Sequence, residues 1–280
     1  SFFGDKKILG SYLSRFWPIF FGLSILIFKQ KSKLFLLFIF VFILSEVLIF
    51  LSGDRSAFFY INLSAFFVII FSQKLSKLRI YTLFFSILIL IVITIFHPKA
   101  KERVFDQTLL EMNLLKGTNL FKETQEKNLQ NNDPIYIFSK AHHEIYIAAY
   151  KMFLDNKVFG IGIRNFRILC KDPKYFVNGN ARCFTHPHNN YLQLLAETGI
   201  IGFLFLLTLL FYFCKYVFKH LKLRIKGKFY FNDFEICILS GIAIYLWPFV
   251  PTGNIFNNWL NIALILNLPF LIWSRKSSKT

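Results

Sequence analysis

In the second half of the chain, Thr185-His186-Pro187-His188-Asn189-Asn190 runs directly into an apolar stretch. Two imidazoles and an amide are thereby held where a loop meets a helix. Neutral imidazole, with an ordinary pKa of about 6.5, accepts a proton near neutrality and suits general-base work. Asn189 can cap the helix and so fix the angle of His188. Glu197 falls in the first turns of the same helix, where negative charge is favoured. His142 and His143 are adjacent, point to different sides of a helix and read first as structural, with His143 kept as a supporting candidate. Zinc is the sharpest rival use of these rings. His186 and His188 with His142 or His143 could supply the three nitrogens of a catalytic zinc, yet the segment lacks a familiar ligand spacing. Gly160-Ile161-Gly162 lacks the third glycine and the strand-helix context of a dinucleotide fingerprint, so a nucleotide is not implied.

Something must position these groups. Hydrophobic residues make up 55% of the chain, 38 of them Phe, and the formal charge is +18, a pairing that a soluble domain would struggle to hide. A membrane accommodates both. Apolar runs at 16–28, 34–51, 57–71, 80–96, 191–218, 234–250 and 255–273 predict seven spans of a hydrocarbon core roughly 30 Å thick. The expected fold class is all-α, a polytopic helical membrane protein with about seven transmembrane helices and one large, partly helical periplasmic loop. That gives four spans in 1–96, the loop in 97–188, three spans in 189–273 and a basic cytoplasmic tail in 274–280. Ser1 in place of Met, with no signal ahead of the first span, reads as a fragment.

Charge in the short loops sets the threading. Lys29, Lys31 and Lys33 share a face with Lys74, Lys77 and Arg79, then with Lys215, Lys219, Lys222, Arg224, Lys226 and Lys228, and finally with Arg275, Lys276 and Lys279. That face is the cytoplasmic one. Arg55 alone marks the 52–56 loop on the other side, and taken by itself it would read as a headgroup anchor. The bases are explained by topology, so nucleic acid is not an expected partner. Glu46, inside an apolar run, is costly unless it faces protein or water, and reads as a buried hydrogen-bonding residue or a groove-lining one.

In the loop, 101–117 has the pattern of a surface helix, 118–133 is polar without apolar period, and 135–154 is helical again with Ala141, Ile145, Ala148, Ala149 and Met152 on one stripe. Asn156 follows that helix. Cys170 and Cys183 lie in the same loop, where an oxidising periplasm would allow a disulfide, the alternative being two separate thiols.

The run from His186 through His188, Asn189, Tyr191, Leu192, Glu197 and Gly199 to Gly202 closely resembles the histidine-asparagine motif of the O-antigen ligase and polymerase superfamily. Ser52-Gly53-Asp54-Arg55-Ser56-Ala57 is similar to its Ser-x-x-Arg-small-Ala segment, and Val158-Phe159-Gly160-Ile161-Gly162 to its Gly-x-Gly turn. The resemblance implies a membrane glycosyltransferase that needs no metal or other cofactor. Its donor would be an undecaprenyl-pyrophosphate-linked glycan and its acceptor lipid A-core, another glycan or a protein, on the outer face of the bacterial inner membrane among membrane lipids. Such a transfer needs a base, which the resemblance assigns to His188 with His186 as helper, and a cation for the pyrophosphate, which it assigns to Arg55. Arginine suits that second task because its planar fork pairs two phosphate oxygens. Where many members carry an arginine at the start of the loop helix, this chain has His142-His143-Glu144, leaving Arg103 and Arg164 as the candidate replacements. O-antigen polymerase or protein O-oligosaccharyltransferase activity is the alternative within the same chemistry. A lipid-linked sugar transporter is the alternative of another class.

Overall fold

A computed structural model describes residues 9–27, 33–96, 98–115, 134–179, 181 and 183–277. The polar stretch expected at 118–133 lies outside the described residues. Every regular element described is helical: α1 (Leu9–Ile27), α2 (Lys33–Leu51), α3 (Arg55–Phe71), α4 (Leu75–Phe96), α5 (Pro98–Lys101), a π turn (Glu102–Asp106), α6 (Gln107–Glu111), α7 (Lys140–Asp155), α8 (Phe166–Leu169), a 3-10 turn (Pro173–Tyr175), α9 (Asn190–Ile225), α10 (Asp233–Leu246), α11 (Asn258–Ile265) and α12 (Asn267–Ser277). By length and composition α1, α2, α4 and α9 can cross a membrane, and α3 is an apolar helix of 17 residues. This is a membrane protein built from helices.

The C-terminal apolar runs take a shorter form than the sequence pattern suggests. Helix α10 has 14 residues and ends at Leu246, because Trp247 after it is held extended by the following Pro248. The run 255–273 divides at Leu266. Pro269 brings no N–H to continue the ladder, and Asn267 turns its side-chain amide back to the Ala263 carbonyl at 2.7 Å.

The chain forms two compact units. The first comprises Ser1–Val104, Tyr212–Trp247 and Ile262–Thr280. Its central helix is α10, buried from Phe234 to Leu246 and packed against α1, α3 and α12, as a helix that is apolar all round should be. Asn232 and Glu235 start it with a reciprocal capping box. Helix α4 begins five residues before the apolar run that marks it, so Arg79 is a buried helix residue and not a loop charge. Its guanidinium pairs with Glu46 of α2, lies 4.4 Å from the Trp17 ring centroid and reaches Thr82 Oγ1 at 2.9 Å. Ser86 donates to the other Glu46 oxygen. Glu46 is thus a hydrogen-bonded buried residue, the first of its two expected readings.

The second unit comprises Phe105–Phe211 and Pro248–Asn261. The described part of 101–117 is not one helix. Asn113, at φ 62°, closes α6 in a Schellman turn, with Leu114 N bonded to Leu109 O and Asn113 N to Leu110 O. Helix α7 starts at Lys140, five residues later than its apolar pattern, because Ser139 caps it by accepting from His142 N. The expected stripe then faces inward. Ile145, Ala149 and Met152 form a core with Phe166, Cys170, Tyr175 and Ala196, and Cys183 packs against it. Cys170 and Cys183 are joined as a disulfide with their Cα atoms 5.2 Å apart.

Candidate functional site

The histidine motif is anchored by the segment 248–256, which the apolar pattern divides between the ends of two expected spans and the uncharged residues 251–254 that separate them. Asn189 Oδ1 accepts from Tyr191 N and Leu192 N at 3.0 and 3.1 Å, the cap geometry expected of it, while its amide donates to Pro248 O at 2.8 Å. Thr252 N donates to His188 O at 2.9 Å. Gln193 ties the next turn to the same segment, donating to Asn254 Oδ1 at 2.8 Å and accepting from Ile255 N at 3.1 Å.

A second docking involves the Gly-x-Gly turn. Helix α9 breaks at Gly199, whose φ of 65° and ψ of −159° are not helical. In an unbroken helix Ala196 O and Glu197 O would accept from residues 200 and 201. Here they accept from Ile161 N and Gly162 N at 2.9 and 3.0 Å, and Ile200 N bonds Lys157 O at 2.9 Å. A Cβ on Gly199 would meet Val158 O at 2.2 Å, and one on Gly160 would meet the Glu197 carbonyl carbon at 2.5 Å, so both positions require glycine. Glu197 is buried and completes the joint, accepting from Phe166 N at 3.1 Å and from the Gln193 amide at 3.0 Å. Its role in the geometry is to hold the scaffold.

These two dockings bring the imidazoles together. The His186 and His188 ring centroids are 4.1 Å apart, and His142 and Phe184 each stand 5.6 Å from His188. The hydrogen bonds of His186 settle its tautomer. A carbonyl only accepts, so the 3.2 Å contact with Thr252 O puts the proton on Nε2, and Nδ1 then accepts from the Thr185 hydroxyl at 2.9 Å. Burial, and after it the neighbouring His188 and Arg167, push His186 down to about 4. His188 is half-buried and sits at φ 57°, a left-handed conformation that a side chain seldom adopts. Burial lowers its pKa as well, against the opposing effect of a backbone hydrogen bond with Thr252. Both rings are therefore neutral at neutral pH.

Of the other residues singled out, His143 is exposed beside Tyr136, at 5.5 Å between centroids, and it is His142 that faces the pair. The ring of His142 is set by Ser139 Oγ, 2.8 Å from its Nδ1. Arg164 is exposed, with Nη2 3.4 Å from Phe256 O. Among the described residues no three His, Cys, Asp or Glu side chains gather as metal ligands.

Arg55 and Arg103 belong to the first unit and meet at one turn. Asp54 caps α3 by accepting from Ala57 N at 3.0 Å, and Ser11 donates to its other oxygen at 2.7 Å. Arg55 is the first residue of α3 and is half-buried. Arg103 lies over the same turn, its Nε donating to Gly53 O at 3.3 Å. Arg15 is not among the expected site residues, yet it is buried against the Tyr60 ring at 4.9 Å and donates to Ser11 O at 3.1 Å, which links it through Ser11 to the Asp54 turn. Its spacing from Ser11 by one helical turn is the signal that could have found it.

A family model described as O-antigen ligase matches residues 38–207, a span that includes the Arg55 turn, the Gly-x-Gly turn and the histidine motif. The chain belongs to the O-antigen ligase family. Membership supports an enzyme of the ligase or glycosyltransferase type acting on lipid-linked glycans. Comparison with curated proteins finds no significant match.

Proposed function

We propose that this O-antigen ligase family member moves a glycan from undecaprenyl pyrophosphate to lipid A-core or a similar acceptor, at the periplasmic face of the inner membrane, with about seven crossings of the chain. The observation that carries the reading is the contrast between the two histidines. His186 has both ring nitrogens engaged and holds position. His188 stands half-exposed on strained backbone beside it, neutral and suited to be the base. In the reaction His188 takes the proton of an acceptor hydroxyl as that oxygen bonds to the anomeric carbon. The bond from that carbon to the pyrophosphate oxygen breaks, and undecaprenyl pyrophosphate leaves with the electron pair. Arg55 with Arg103 holds the departing diphosphate, where charge-assisted, two-pronged hydrogen bonds are strongest. No residue in this scheme requires a metal.

The test is transfer by the full chain in liposomes, from a polyprenyl-pyrophosphate glycan to lipid A-core. His188→Ala should lower kcat about 10²–10⁴-fold, the usual worth of a positioned base. Arg55→Lys should also be impaired, since an ammonium cannot reproduce the paired contact. Wild-type rates in His188→Ala, or glycan crossing the vesicle without covalent transfer, would overturn the reading.

A further inference from the structure

Just after the Gly-x-Gly turn the chain carries two exposed arginines that the proposed transfer has not used on this unit, Arg164 ahead of α8 and Arg167 within it. Their mounting is rigid. Ile161 N, Gly162 N and Phe166 N are all bonded to residues 196 and 197, Asn165 donates to Ile161 O at 2.8 Å, and Phe166 between the arginines is fully buried. Each is tied to the imidazoles or to the segment that anchors them, Arg164 by a backbone contact and Arg167 by its charge. Arg164 reaches Phe256 O, on the segment whose Thr252 holds His186 and His188, and the charge of Arg167 acts on His186 after burial and His188.

Three observations point outward from here. Arg164 has φ 63°, where glycine would fit with less strain, so its side chain is kept against the preference of its own backbone. Among the described residues neither guanidinium has a carboxylate at ion-pair distance. The acidic groups nearby are engaged otherwise: Glu197 with Phe166 N and Gln193, Asp155 with Lys174 and Tyr175, Asp172 with Lys174 N. The third is chemical. In a direct displacement the acceptor hydroxyl attacks the sugar carbon from the side opposite the leaving group and its base lies behind it, so cations on the base's side of the site meet the acceptor and not the departing diphosphate.

We infer that Arg164 and Arg167 form a binding site for an anionic group, a phosphate or a carboxylate, carried by the acceptor glycan near the hydroxyl that reacts. The inference rests on the base assignment to His188. It moves Arg164 from the donor, where the sequence reading put it, to the acceptor, and adds Arg167.

The full chain in liposomes, with donor saturating, is given one lipid-anchored acceptor oligosaccharide in three forms: bearing a phosphate monoester, treated with phosphatase, and bearing a hexuronate instead. Wild type should show a KM about tenfold lower for the form whose anion it recognises than for the neutral form, as expected for a charge-assisted contact. Arg164→Gly and Arg167→Gln should each raise that KM towards the neutral value, leaving donor KM and kcat unchanged. Arg164→Gly should melt no lower than wild type, because glycine suits the turn, which a merely structural arginine would not allow. Equal KM for all three forms in wild type, or variants that raise donor KM instead, would overturn the site. If His188→Ala stays active, the parent assignment has failed; if it is inactive while both arginine variants keep the wild-type acceptor KM, only this site has.

Discussion

Replacing Gly199 by alanine should be among the most damaging single-methyl additions in the molecule. The φ of 65° and ψ of −159° fall where a residue with a Cβ costs about 1–3 kcal/mol. The methyl would also sit 2.2 Å from Val158 O and 2.7 Å from Phe159 N, backbone atoms that cannot rotate aside. Moving that strand of chain loosens the bonds from Ile161, Gly162 and Ile200 that join the turn to α9, each worth roughly 1 kcal/mol net. Allowing for relaxation, the loss is about 4 kcal/mol, or a fall of about 8–16 °C in Tm for a chain of this size. Thermal unfolding in detergent at a fixed scan rate would measure it, and transfer activity should drop with it because the same joint supports the histidines. Gly227→Ala is the control: its φ of 70° is also left-handed, but nothing lies within 4 Å of the added Cβ, so only the conformational part, about 1 kcal/mol, applies. If the two variants melt together, or Gly199→Ala matches wild type, the joint does not have the importance assigned to it.

The pH dependence follows from the two lowered imidazoles. A base must be neutral to act, so the acid limb of kcat/KM should fall below the pKa of about 6.5 of a free imidazole, and a limb at or above that value would exclude His188 in its buried setting. Stability has the same sign, because the folded state resists protonating His186 while the unfolded chain does not. That contribution is intact above about 6.5 and is lost as pH falls from there to about 4, where His186 itself titrates in the fold. A melting series across that range, with His186→Gln flattening the slope, checks it. The buried pair makes a third case: Glu46→Ala alone should cost about 3–5 kcal/mol by stranding Arg79, whereas Glu46→Leu with Arg79→Met should restore most of it, a double-mutant cycle in detergent providing the measurement.

Much of the site was legible because its parts are local. The histidine pair, the Asn189 cap and the two glycine motifs each occupy a short stretch, and their meaning depends on neighbours in sequence. What stayed hidden depends on phase and on distance along the chain. Which of His142 and His143 faces inward follows from where α7 begins, and Ser139 rather than the apolar pattern decides that. Arg79 looked like a loop charge because a run of apolar residues cannot announce the buried carboxylate that draws an arginine into a helix. The role of 248–256 escaped because, apart from the Asn254 side chain, it acts through backbone carbonyls and N–H groups of Pro248, Thr252 and Ile255, which carry no side-chain signature. The seventh apolar run hid its break in the same way, since Pro269 acts on the residues before it.

The dependence on that distant segment bears on how the enzyme can be cut and recombined. The family match ends at residue 207, yet the partners of His186, Asn189 and Gln193 lie at 248–255. A shortened protein that stops after the matched stretch would keep every motif letter and lose the frame that aims them. Chimeras between relatives should exchange 185–197 and 248–256 as a matched set, and swapping either alone should produce protein that inserts normally but carries a slack pair of imidazoles.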